Sequence, residues 1–101
     1  MAADSLNHDA WFEQHTTGAP EHLARRTADF FRAASGDLVS RLAAAGDMAL
    51  VTATGGGAAR GAALDLLAAD ALITLALLAS AEADPTALAA AARALRTRAV
   101  G

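Results

Sequence analysis

The stretch Ala62–Ala83, AALDLLAADALITLALLASAEA, decides the fold. Wound into a helix of 3.6 residues per turn, its large apolar side chains do not gather into one stripe. Leu64, Leu75 and Leu78 share one face, with Leu67 close by. Leu66, Ile73 and Leu77 point almost the opposite way, and Leu72 lies between the two groups. A helix apolar on all sides is wrapped by other helices or sits in a membrane. Its longest charge-free run, Ala71 to Ala81, is eleven residues, well short of the ~20 that cross a bilayer. Asp65 and Asp70 stand just before that run. These facts predict the central, Leu/Ala-rich helix of a small all-α bundle of four or five helices.

On the C-terminal side, Asp84-Pro85 is a helix restart, an N-cap followed by a proline at the first helical position. The last helix is expected to bury Leu88, Ala91, Ala92, Leu95 and Ala99, with Arg93, Arg96 and Arg98 toward its end, where cations suit the helix dipole. On the N-terminal side, Gly55-Gly56-Gly57 is a break, a Gly-rich loop over 55–57. Before it, Asp37 to Thr54 opens on Asp37 as an N-cap and carries Leu38, Val39, Leu42, Ala45 and Ala49 at helical spacing. Gly46-Asp47 reads as a stop or a weak point, and Met48–Thr52 as helix or a short strand. The clearest amphipathic pattern runs from Pro20 to Ala34. Leu23, Thr27, Phe30, Phe31 and Ala34 form its inner face, and Glu21, Arg25, Asp29 and Arg32 its outer one. A short first helix, capped by Ser5 or Asn7, carries Leu6, Ala10, Trp11 and Phe12 and ends near Thr16-Thr17-Gly18, with residues 1–4 frayed. The whole of 1–101 is read as a single helical domain.

Composition bounds the function. With 101 residues the chain buries about two-thirds of its unfolded surface. It holds 31 Ala and 14 Leu but 4% aromatic residues. A buried methyl contributes roughly 0.8 kcal/mol and a buried Leu or Phe about 1.5–3, so such a core returns little for each residue ordered. Self-association, as a homodimer or with another protein, is the expected remedy. The net charge is −3 and all eight basic residues are Arg, a usage that resembles GC-rich bacterial genomes. No basic stripe interleaved with aromatic residues suggests nucleic acid. Zero Cys excludes disulfides, thiolate metal sites and a Cys nucleophile. The N-terminus, MAADSLNHDAWFEQH, lacks the charged and apolar regions of a signal peptide. A cytoplasmic location without membrane contact is the expectation.

Few constellations carry chemistry. Ala49 to Leu64 contains an apolar run, three glycines and a helix start, and resembles the opening of short-chain dehydrogenases, with Thr54-Gly55 leading and Gly61 trailing. Ala59 stands where that pattern has a glycine, and no second strand is available to build a parallel sheet. His8, His15 and His22 fall seven apart. That spacing is about 10.5 Å along a helix, too far for two neighbours to hold one ion, so exposed histidines and no metal or cofactor are expected. Asp70 points between Leu66/Leu77 and Leu67/Leu78, one turn before Thr74. A carboxylate in such surroundings needs a partner. An Arg of a neighbouring helix (Arg26, Arg41 or Arg93) or a subunit interface can supply one, or Asp70 and Thr74 can serve as polar contacts for an apolar small molecule. Asp65 lies 140° away on the helix and is expected to be solvated. Trp11 and Phe12, adjacent on a short helix, are read as part of a lid over the bundle or as an aromatic anchor for a partner. Nothing places a nucleophile beside a base. The sequence thus predicts a non-enzymatic accessory or interaction protein, with Asp70, Thr74, Trp11 and Phe12 as ligand or interface candidates.

Overall fold

The computed structural model describes the backbone of residues 2–55 and 59–100, and the side chains of 7–55, 59–87, 89, 90 and 92–98. Among these residues there are five helices: α1 (Ala2–Thr16), α2 (Glu21–Ala33), α3 (Leu38–Thr54), α4 (Ala59–Ala83) and α5 (Pro85–Val100). The all-α bundle expected from the sequence is what forms. Helix α1 already includes Ala2, ahead of the cap expected at Ser5 or Asn7 and of the fraying expected over 1–4.

Helix α2 follows its pattern, burying Thr27, Phe30 and Phe31. Pro20 sits at its N-cap, one position earlier than expected, with φ −54° already suited to a helix entrance. The chain leaves α2 through Gly36 at φ +117°, a conformation that an L side chain rarely adopts. Asp37 then caps α3 by accepting a hydrogen bond from the Ser40 backbone N–H at 2.9 Å. That bond favours the carboxylate and lowers the Asp37 pKa below its ordinary value. At the other end of α4, Asp84 accepts from the Ala87 N–H at 3.0 Å and starts α5 as the Asp84-Pro85 pair predicts.

Gly46-Asp47 is not a stop. Helix α3 is continuous through both residues and through Met48–Thr52, so the strand alternative for that segment is wrong. The reason for the glycine is on the facing helix. A Cβ at Gly46 would meet Ile73 Cγ1 at 3.0 Å and Leu72 Cβ at 3.5 Å. Glycine there lets α3 and α4 approach closely, and the two form the most extensively packed pair in the fold. Leu42, Ala45 and Ala49 from α3 meet Ala68, Ala69 and Leu72 from α4, with Phe12, Phe30 and Phe31 closing the core.

Helix α4 is central but not wrapped. Its buried residues are Asp65, Ala68, Ala69, Leu72, Ala76 and Ala79. The larger side chains face outward: Leu66 is 48% exposed, Leu67 56%, Ile73 44%, Leu77 61% and Leu78 40%. Taken as a whole helix rather than as a charge-free run, α4 is long and apolar enough to cross a membrane, and 33% of its most apolar stretch is buried. Helix α5 also departs from expectation. Ala92 is exposed and Leu95 is 60% exposed, so these two are not core residues; the side chains of Leu88, Ala91 and Ala99 lie outside the described residues. The Cα radius of gyration, 15.1 Å, exceeds the ~13 Å of a compact domain this long.

Candidate functional site

The two acids of α4 exchange the roles expected of them. Asp65, expected in solvent, is buried at 5% exposure. It accepts a hydrogen bond from Arg26 Nε of α2 at 2.5 Å. This bond raises the Arg26 pKa further above its ordinary value, the burial of the guanidinium opposing it and the Asp65 charge adding to it. Arg26 also lies over the Phe30 ring, 4.9 Å from its centroid, and so ties α2 to α4 by charge and by packing. Asp70 is exposed, and Arg26 is engaged by Asp65 instead. Arg41 is engaged elsewhere too. Its Nε donates to the carbonyls of Phe31 and Ala34, each at 3.0 Å. Its guanidinium lies 3.8 Å from the Phe31 ring centroid. It closes the C-terminus of α2, where free carbonyls favour a cation.

A signal for Asp65 exists in the sequence. It shares a helical face with Ala68, Leu72, Ala76 and Ala79, all buried. That face is marked by small residues, which carry little weight when the inside of a helix is judged by its leucines.

Asp70 and Thr74 come together at a cleft of about 280 Å³ between α1, α2 and α4. Leu23, Ala24, Ala71 and Leu75 form its apolar walls, with His15 and Thr27 also lining it. Thr27 is 2% exposed, and its hydroxyl has no hydrogen-bond partner among the described residues.

Trp11 and Phe12 diverge. Phe12 is buried and stacks on Phe31, with centroids 4.2 Å apart and planes 6° from parallel. Trp11 is half-buried, and its indole N–H donates to Glu82 Oε2 at 2.9 Å. His15 stacks on Trp11 at 4.0 Å, and its Nδ1–H donates to the Trp11 carbonyl at 2.7 Å. Its other ring nitrogen lies 3.7 Å from Glu82 Oε1. One end of α1 is thus held to α2 by an aromatic pair and to the end of α4 by Glu82. His15 is not the exposed histidine expected, and His8 too is half-buried; His22 is exposed. In the Gly-rich segment, Gly55 caps the end of α3, and Gly56 and Gly57 lie outside the described residues.

No family model, curated protein or solved structure matches this chain.

Proposed function

We propose that the protein is a small non-enzymatic helical interaction protein that works by self-association through the outer face of α4. The observation that supports this is the run of half-exposed Leu66, Leu67, Ile73, Leu77 and Leu78 on the central helix. Several large apolar side chains left exposed on one helix, flanking a small polar strip, mark an interaction site. The alanine-lined core supplies a second reason, since a homodimer contact adds the larger side chains that the core lacks. Unfolding by urea at a series of protein concentrations tests this. Association coupled to folding raises the midpoint with concentration, and the double variant Leu67→Gln/Leu77→Gln abolishes that dependence. A midpoint independent of concentration in the unsubstituted protein contradicts the proposal.

A second function is favoured by one specific feature, the cleft beside Asp70 and Thr74 with the unpartnered Thr27 hydroxyl in its wall. It suits a small, mostly apolar molecule carrying a group that Asp70 or Thr27 can hydrogen-bond. Uptake of an alkylammonium probe, lost in Asp70→Leu/Thr74→Val, would support it. Uptake unchanged by those substitutions would remove it.

A further inference from the structure

The outer face of α4 has an internal symmetry. Ala63, Leu67, Asp70, Thr74, Leu77 and Ala81 follow one another at intervals of four, three, four, three and four. This alternation is the seam along which two helices pair. It reads the same in both directions about Leu72, in chemistry as well as spacing. Ala63 and Ala81 are equidistant from Leu72, as are Leu67 and Leu77, Leu66 and Leu78, and the two polar residues Asp70 and Thr74. Five of the six seam residues are exposed, and Ala81 is half-buried.

We infer that this seam pairs with a second copy of itself, antiparallel, about a two-fold axis that crosses the seam at the height of Leu72, whose own side chain is buried on the opposite face of the helix. The inference rests on the self-association proposed above and specifies its geometry. An isologous contact brings position i of one chain to position j of the other and the reverse. Here Leu67 meets Leu77 of the partner subunit, and Ala63 meets Ala81 of the partner subunit. Asp70 meets Thr74 of the partner subunit, twice.

The polar pair decides the direction. A parallel pairing in register sets Asp70 against Asp70 of the partner subunit, two carboxylates in one layer of an apolar seam, and wastes both threonine hydroxyls. The antiparallel pairing gives each carboxylate a hydroxyl donor, the charge-assisted hydrogen bond that a covered carboxylate requires. It also accounts for two polar residues in the middle of an otherwise apolar face. A lipid surface explains neither the polar pair nor the symmetry.

The absence of cysteine permits a direct test. Leu67→Cys and Leu77→Cys are prepared separately, then mixed and mildly oxidised. In the antiparallel register the two positions share a layer and form a mixed disulfide. Leu67→Cys alone does not cross-link, because its copies stand about 15 Å apart along the helices and a disulfide spans Cα atoms roughly 4.4–6.8 Å apart. Cross-linking of Leu67→Cys with itself would show a parallel pair and overturn the inference. A dimeric mass without the mixed disulfide would overturn this register while leaving self-association standing. A single-chain mass throughout would overturn both. In a separate arm, Thr74→Val weakens association by about a hundredfold through the two lost donors to carboxylates, and Thr74→Ser restores it. No change in Thr74→Val would contradict the polar pairing.

Discussion

The two long faces of α4 are built on opposite plans. The inner face is closed by Ala68, Ala69, Ala76 and Ala79 around a single large residue, Leu72, and holds a paired charge, Asp65. The outer face carries Leu66, Leu67, Ile73, Leu77 and Leu78 around an exposed Asp70. Small residues bring backbones together; the close approach at Gly46 is the clearest instance. Large residues supply area. In this helix closeness is used within the chain, and area is left on the outside, where a second surface can use it.

The same truncation on the two faces breaks or sharpens this contrast most strongly. Leu72→Ala removes a fully buried side chain from a core with few large ones and is expected to cost about 2–5 kcal/mol. Leu67→Ala, made on the half-exposed side, is expected to change the stability of the single chain by less than about 0.5 kcal/mol. Urea unfolding of both at one low concentration checks the pair, and equal losses would erase the distinction between the faces. The acids form the next comparison. Arg26→Ala leaves Asp65 buried without its partner and is expected to cost roughly 1–3 kcal/mol, a figure held down because the Arg26 side chain is 39% exposed. Replacing Asp65 by Asn in the same chain recovers part of that loss, whereas Asp70→Asn alone leaves the single chain nearly unchanged. The smallest effect belongs to the α3 cap. Asp37 has a lowered pKa, so its contribution is full above the unfolded value of about 3.9 and is lost as pH falls through the folded value. Asp37→Asn keeps a capping side chain and flattens that acid-side decline, which a pH series of thermal midpoints would show.

Helix positions were legible because capping and turn residues act locally. Asp37, Asp84-Pro85 and the amphipathic pattern of α2 each specify an element without reference to the rest of the chain. Gly46 misleads for the opposite reason, since its role depends on Ile73 and Leu72 of another helix. The same holds for the acids. Periodicity shows that α4 is apolar all round, but not which side another helix covers, and a face of alanines competes poorly with one of leucines for the place of the core. Periodicity therefore places Asp65 in solvent and gives Asp70 a partner, either an Arg of a neighbouring helix or a group across an interface, where the structure pairs Asp65 with Arg26 and leaves Asp70 exposed. Of the candidate residues, Asp70 and Thr74 do lie together at a cleft, Phe12 is built into the core, and Trp11 is bound to Glu82. The separation of the two aromatic residues follows from their adjacency on one helix; the destination of each depends on tertiary packing.

The most direct measurement is the absolute mass of the protein in detergent-free buffer, by light scattering across a dilution series. The outer face of α4 as a self-association surface predicts twice the 10.1 kDa chain mass, falling toward one chain only on dilution and at all concentrations in Leu67→Gln/Leu77→Gln. A mass of one chain at every concentration would contradict it, and transfer of that single chain onto lipid vesicles would identify a membrane as what covers the leucines instead.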